Sequence, residues 1–123
     1  ERRREAAQLL ERVGLGECLN RRPDQLSGGQ RQRVAIARSL AGDTDIILAD
    51  EPTAALDTTT GLQIMDLLKD EVQRGRKAAF VVTHDPRLEK FATRVDRITD
   101  GVLSIGQPIS RRAQLKASLT EAG

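Results

Sequence analysis

The chain has almost no aromatic residues, and it has few of the cysteines and histidines that form disulfides or bind metals. It contains no tryptophan or tyrosine, two phenylalanines, one cysteine and one histidine among 123 residues. A single cysteine excludes an internal disulfide framework and fits a reducing compartment. The sequence also has no apolar run long enough to cross a bilayer and no visible signal peptide. We therefore expect any function at a membrane to require a partner protein.

The charges nearly balance, which argues against a nucleic-acid partner. Twenty basic and 18 acidic residues give a net charge of +2. Domains that bind nucleic acid carry a strongly basic face, whereas short basic runs are ordinary on solvated surfaces. Those runs lie at Arg2–Arg4, Arg21–Arg22 and Arg111–Arg112.

The length suits one domain, which would bury roughly two-thirds of the surface of its unfolded chain.

The first residues predict a helix that is already under way at Glu1. The apolar residues that recur at helical spacing are Ala6, Leu9, Leu10 and Val13. Gly14 ends this pattern, and residues 15–24 are predicted to form a loop. Because the chain starts with Glu rather than Met, we expect its beginning to be cut off.

The stretch Leu26–Gln30, Leu-Ser-Gly-Gly-Gln, marks the start of a second helix. Ser27 is a favourable N-cap, since its oxygen can accept a hydrogen bond from the first turn. Gly28 and Gly29 lack a Cβ, which lets oxygens of another molecule approach the main chain. Apolar residues then recur at helical spacing, at Val34, Ala37, Leu40 and Ala41. Such a helix start indicates a phosphate site; a plain Ser-capped helix after a glycine turn is the alternative.

A strand, a helix and a second strand follow. Ile46–Ala49 is a short unbroken apolar run, which suits a parallel strand covered on both faces. Thr58–Arg74 has helical spacing, and Ala78–Val82 is another apolar run. The spacing of the three segments predicts a βαβ unit with parallel strands and a right-handed crossover. The helix residues predicted to point inward are Leu62, Met65, Leu68 and Val72.

Polar residues follow both predicted strands. Asp50 and Glu51 come directly after the first strand, and His84 follows the second. The carboxyl ends of parallel strands meet at the edge where open α/β folds bind ligands. We therefore expect Asp50, Glu51 and His84 to converge on that edge.

The remainder predicts smaller elements. Pro86–Ala92 is predicted to form a short helix, and Arg94–Thr99 and Val102–Ile105 flank Asp100-Gly101, a strong hairpin signal. Pro108–Gly123 is polar, with Ala and Leu at helical spacing, and predicts a loosely docked terminal helix.

Four segments together resemble the ATP-binding cassette (ABC) ATPases. Leu26–Gln30 resembles the signature motif and Ile46–Glu51 the Walker B strand. Ala55–Asp57 resembles the D-loop, and Thr83–Asp85 the switch histidine segment. The resemblance implies an α/β, partial P-loop NTPase fold, with a parallel sheet core, flanking helices and a C-terminal β-hairpin. It implies that residues 1–107 are the C-terminal portion of the ATPase domain and residues 108–123 a polar helix or tail.

The resemblance also implies roles at the sheet edge. Asp50 would bind Mg²⁺, through a water, because hard cations take oxygen ligands. Glu51 would hold or deprotonate the attacking water, and His84 would donate to the γ-phosphate of ATP.

Other roles implied by the resemblance concern a second subunit. The residues that would contact nucleotide held by that subunit are Ser27, Gly28, Gly29 and Gln30. Asp57 would lie at the dimer interface and couple the two sites; its alternative is the N-cap of the following helix, and both can hold.

One motif of the family is missing from the sequence. No Gly-x-x-x-x-Gly-Lys-Ser/Thr occurs, so the Walker A loop that cradles phosphates is absent. We therefore interpret the chain as the C-terminal half of a cassette, which by itself should bind ATP poorly.

Within the family, the sequence resembles ATPases of bacterial exporters that serve lipoprotein release, macrolide or glycolipid efflux and cell division. This implies ATP and Mg²⁺ as cofactors, and a second nucleotide-binding domain and a membrane permease as partners, at the cytoplasmic face of the inner membrane. Two alternatives stay open: a soluble ABC ATPase acting on DNA or ribosomes, and an inactive remnant.

Overall fold

A computed structural model describes residues 2–75 and 77–109. The helices are α1 (Arg2–Arg12), α2 (Gly28–Leu40) and α3 (Thr58–Gly75), and the strands are β1 (Ile46–Asp50), β2 (Ala78–Val82), β3 (Arg97–Thr99) and β4 (Val102–Ser104). Short 3-10 helices lie at Gly16–Cys18, Pro23–Gln25 and Pro86–Phe91. The chain divides after His84 into two compact units. Every predicted helix and strand before residue 108 is present, with small changes in its bounds.

The first unit begins with α1 and the turn that follows it. Val13 and Leu15 are buried, and the predicted loop that follows contributes Cys18 to the core. The Arg33 guanidinium of α2 donates to the carbonyls of Val13 and Gly14, at 3.2 and 3.3 Å. These bonds satisfy backbone oxygens that the end of α1 leaves without helical partners. The loop is thus held in place by α2.

The inward face of α2 differs in part from its prediction. Ala37 and Leu40 are buried as expected, but Ile36 is also buried, Val34 is only half-buried and Ala41 is exposed. In α3 the buried residues are Gly61, Ile64, Met65 and Leu68. Leu62 and Val72, predicted to face inward, are half-buried. The buried face of each helix therefore differs by a small rotation about the helix axis from the face that the spacing of its apolar residues predicts.

The strands β1 and β2 pair in parallel, with Ile46 opposite Ala78 and Asp50 opposite Val82. The helix α3 connects them along the chain and contacts β2. This arrangement confirms the predicted βαβ unit. It brings both strand ends to one edge of the sheet.

The expectation that these strands are covered on both faces is wrong for the described residues. Ile47 is 3% exposed on one face, whereas Leu48 is 78% exposed on the other. The residues that share the open face with Leu48 are Ile46, Phe80 and Val82, all more than half exposed. The helices of the described chain pack on one side only: Ile36 and Leu68 line a small cavity together with Ile47. An unbroken apolar run shows that both faces of a strand are apolar. It does not show which segment of the protein covers each face.

The second unit contains a capped turn and a hairpin. Asp85 accepts a hydrogen bond from the Arg87 N–H at 3.0 Å and so caps the 3-10 helix Pro86–Phe91. The strands β3 and β4 are antiparallel, and both turn residues, Asp100 and Gly101, have positive φ. Two successive positive φ angles are the requirement of a type I′ turn, which confirms the predicted hairpin. Most of the predicted terminal helix, residues 110–123, lies outside the described residues.

Within the described ranges, no helix combines the length and the apolar character that crossing a bilayer would require.

Two leucine substitutions test which side of the sheet is packed. Leu68→Ala should lower the free energy of unfolding of the 123-residue chain by about 2–5 kcal/mol, because it leaves a cavity in the core. Leu48→Ala removes the same atoms from an exposed site and should change it by less than about 0.5 kcal/mol. Urea unfolding followed by circular dichroism measures both. Equal losses for the two variants would contradict the packing described.

Candidate functional site at the carboxyl edge

Glu51 continues the pairing of the two strands by one residue. Its N–H donates to the carbonyl of Val82 at 2.8 Å, just beyond the last paired residues of β1 and β2. The backbone there turns into the left-handed region, with φ at 45°. For a residue with a Cβ this conformation costs on the order of 1–3 kcal/mol and persists only where the surroundings impose it. Such residues are found preferentially at functional sites.

The Glu51 carboxylate is bound at both of its oxygens. Oε1 lies 2.6 Å from Nδ1 of His84 and accepts the His84 backbone N–H at 3.1 Å. Oε2 accepts the Thr83 hydroxyl at 3.1 Å. The predicted convergence of Glu51 and His84 on one edge is therefore present as direct contact. These three interactions fix the plane of the carboxylate.

The contact with His84 favours the ionised form of Glu51. The hydrogen bond from the His84 ring holds the pKa of Glu51 below its ordinary value, with smaller contributions from Thr83 and the charge of His84, while burial opposes the shift. Glu51 is about one-third exposed and His84 is 88% exposed. The arrangement thus presents an ionised carboxylate, next to an imidazole, at an accessible edge.

Asp50 ends β1 and its side chain is exposed at the same edge. No group of three or more His, Cys, Asp or Glu side chains that could hold a metal ion occurs within residues 2–75 and 77–109. A carboxylate oxygen is nonetheless a fitting single ligand for Mg²⁺, which usually keeps several waters and takes further ligands from a phosphate substrate. The chemistry of Asp50 therefore fits a role as one ligand among ligands that the substrate and water supply.

Ser27 begins α2 with a complete capping box. Its Oγ accepts the Gln30 N–H at 3.2 Å, and Oε1 of Gln30 accepts the Ser27 N–H at 2.9 Å. The predicted N-cap is confirmed, and Gln30 has a local role in holding this turn. A hydroxyl that accepts one hydrogen bond can still donate another. Ser27 can therefore cap its helix and donate to a bound anion.

The two glycines of this turn are not equivalent. A Cβ on Gly28 would meet nothing within 4 Å, so the space beside this residue is open in the described chain. A Cβ on Gly29 would lie 2.9 Å from the carbonyl oxygen of Ala55 and 3.5 Å from Leu56. The position that a Gly29 side chain would take is therefore occupied by the chain itself, so glycine is needed at Gly29 for packing as well.

Asp57 occupies the N-cap position of α3. Its carboxylate accepts the Thr60 N–H at 3.0 Å and the Thr60 hydroxyl at 2.6 Å. These bonds hold the pKa of Asp57 below its ordinary value, with burial opposing and the charge of Arg33 adding to the shift. The structure thus contains the capping contacts that the sequence offered as the alternative role.

Sequence reasoning missed three residues that organise this region. Thr83 binds Glu51, Gln32 donates from α2 to the Pro52 carbonyl at 3.1 Å, and Thr53 lies where a Cβ on Gly61 would reach within 3.3 Å. The position of Thr83 beside the switch histidine was a signal for its role. Gln32 and Thr53 gave none, because their partners, Pro52 and Gly61, are 20 and 8 residues away and the contacts depend on the packing of the helices.

Alanine substitutions distinguish the two glycines. Gly29→Ala should destabilise the chain by about 1–3 kcal/mol, because the added Cβ pushes the Ala55 carbonyl away. Gly28→Ala is the matched control and should stabilise it by up to about 1 kcal/mol, since alanine favours a helix. Thermal unfolding measures the stability, and amide hydrogen exchange of residues 54–57 reports the displaced loop. Equal behaviour of the two variants would show that the close contact at Gly29 is absent.

The capping role of Asp57 predicts a pH dependence. The folded state lowers its pKa, so the ionised cap stabilises the fold above the unfolded-state value of about 4 and this contribution disappears as the pH falls through the folded-state pKa. Asp57→Asn keeps a capping oxygen but loses the charge. The stability difference between the parent and this variant should therefore shrink between pH 6 and pH 3. Urea unfolding at each pH, with Asp43→Asn as the loop control, measures it; a constant difference would contradict the role.

Comparisons with known proteins agree with this arrangement. Residues 1–54 match the family described as ABC transporter. The chain is 49% identical to the macrolide export ATP-binding/permease protein MacB 2 of Yersinia pestis bv. Antiqua (strain Antiqua) over 108 aligned residues. The alignment covers 88% of this chain and 16% of that protein. It is 54% identical over 101 residues to an uncharacterized ABC transporter ATP-binding protein of Thermotoga maritima, covering 82% and 43%.

A solved ATP-binding cassette has a similar structure. A dimeric post-hydrolysis state of the ATP-binding cassette MJ0796, bound to ADP and Pi, matches with a TM-score of 0.81 and 46% identity, over 89% of this chain and 48% of that one. The chain thus spans less than half the length of each of these three proteins. It belongs to the ABC transporter family and corresponds to part of an ABC ATP-binding cassette.

Proposed function

We propose that the chain supplies the hydrolytic edge and the partner-facing turn of an ATPase that powers export through a bacterial membrane transporter. The observation that carries this proposal is the Glu51 carboxylate, which is held at both oxygens by Thr83 and His84 at the end of a parallel strand. The relatives support it, since one is named a macrolide export ATP-binding/permease protein and one solved neighbour holds ADP and Pi.

Glu51 is the proposed base. An ionised carboxylate can orient a water and take its proton as the water attacks the γ-phosphate, an effect that typically contributes about 10²–10⁴-fold. His84 contacts Glu51 through Nδ1. Its other ring nitrogen, Nε2, is the one proposed to donate to the γ-phosphate, and the high exposure of the ring gives a ligand access to it.

The remaining ligand contacts follow from the edge and the capped turn. Asp50 is proposed to hold Mg²⁺, which would offset the charge of the phosphates. The start of α2, Ser27–Gln30, is proposed to contact nucleotide held by a second cassette, with the Ser27 hydroxyl and the main chain of Gly28 and Gly29 at the γ-phosphate of its ATP. A helix start favours an anion through its N–H groups and its dipole. Asp57 is proposed to contact the second cassette while it caps α3.

The proposed partners follow from the relatives. We infer a second nucleotide-binding domain, because the solved neighbour is dimeric. We also infer a membrane permease, because the Yersinia relative is named an ATP-binding/permease protein. These partners would place the chain at the cytoplasmic face of the bacterial inner membrane.

Glu51→Gln tests the hydrolytic role. In the full-length gene product that carries these 123 residues, this change should lower ATP turnover by about 10²–10⁴-fold, since an amide cannot accept the proton. ATP binding should persist, because the side chain keeps its shape. Phosphate release and fluorescent nucleotide titration measure the two properties. Glu17→Gln, on the exposed 3-10 helix Gly16–Cys18, is the matched control; unaffected turnover in Glu51→Gln would reject the proposed base.

A further inference from the structure

We propose that Thr83 is a positioning residue that keeps the Glu51 carboxylate in place while His84 turns toward a bound phosphate. This inference rests on the proposed hydrolytic role of Glu51. Thr83 donates to Oε2 of Glu51 at 3.1 Å, whereas both His84 contacts are made to Oε1. The two side chains therefore hold different oxygens, so the His84 ring can turn away while the Thr83 hydroxyl still binds Oε2 and the His84 backbone N–H still binds Oε1.

The surroundings of the two donors differ. The His84 side chain is 88% exposed, so a ligand can draw the ring away from Glu51. Thr83 is half-buried directly after β2, and its β-branched side chain has few rotamers available. Its hydroxyl is thus the more constrained of the two side-chain donors to Glu51.

Glu51 needs such a constraint because its last torsion is soft. Rotation of a glutamate carboxylate about χ3 is broad, so the backbone position alone does not fix the two oxygens. The backbone of Glu51 lies in the left-handed region, and its N–H is bonded to the Val82 carbonyl. With Thr83 bound to Oε2, Oε1 is directed toward the accessible side where His84 lies. That oxygen can then hold a water as the His84 ring leaves.

The effect of losing this bond should appear in the rate of the chemical step. A positioning hydrogen bond to a charged group typically corresponds to about a 10- to 100-fold effect. Thr83→Val keeps the shape but removes the donor, and should lower kcat by this factor with KM for ATP unchanged. Thr83→Ser keeps the donor and should stay within about threefold of the parent. Steady-state ATPase assays of the full-length gene product in the presence of Mg²⁺ measure both parameters.

Two further variants keep the experiment decisive. Thr83→Ala also lacks the donor and should match Thr83→Val, which provides a second test if the valine variant folds poorly. Thr44→Val makes the same chemical change in an exposed loop residue before the amino end of β1, the opposite end from Glu51, and should leave kcat unchanged. Equal losses in Thr83→Val and Thr83→Ser, or parental kcat in Thr83→Val and Thr83→Ala, would overturn the proposal.

A double variant separates positioning from a purely structural role. If Thr83 acts through Glu51, adding Thr83→Val to Glu51→Gln should cause less than a threefold further loss in the residual single-turnover rate. A full additional loss would overturn the positioning role while leaving the base assignment standing. An active Glu51→Gln single variant would instead reject the proposed function itself, so the two failures give different results.

Discussion

The parallel register of β1 and β2 is the constraint on which the candidate site depends. It places Glu51 directly beyond Val82 of the neighbouring strand, and the bond between their main chains continues the ladder by one residue. Since His84 follows Val82 by two residues, the same register brings its ring to the Glu51 carboxylate. A shift of one residue would turn these side chains to opposite faces of the sheet. The sheet therefore determines the chemistry at its edge.

A close contact and a hydrogen bond connect the helix that starts at Ser27 to the segment after Glu51. The absent side chain of Gly29 leaves room for the Ala55 carbonyl, and Gln32 reaches the Pro52 carbonyl one turn further along α2. The same segment ends at Asp57, which caps α3. A displacement of this loop would thus be transmitted to the starts of both helices. The Ser27 turn and the Glu51 edge are therefore linked through one short stretch of main chain.

The sequence was sufficient for the βαβ unit, the hairpin and the convergence of Glu51 and His84 on one edge, because period, turn residues and strand ends are local signals. It did not reveal which face of β1 is covered, since Ile47 and Leu48 are both apolar and only packing distinguishes them. It did not reveal the packing of Gly29 against the Ala55 carbonyl, because glycine suits a ligand and a neighbouring carbonyl equally well. The contact of Thr83 with Glu51 could not be predicted from the sequence, since it depends on a rotamer and on the left-handed backbone of Glu51.

The open side of the sheet has a consequence for handling the polypeptide. Leu48 and Phe80 form an exposed apolar patch together with Ile46 and Val82. A net charge of +2 provides little electrostatic repulsion between molecules. A parallel pair of strands is normally shielded on both sides. At high protein concentration the isolated 123 residues should therefore self-associate, and a mild detergent or the substitution Leu48→Lys would reverse this.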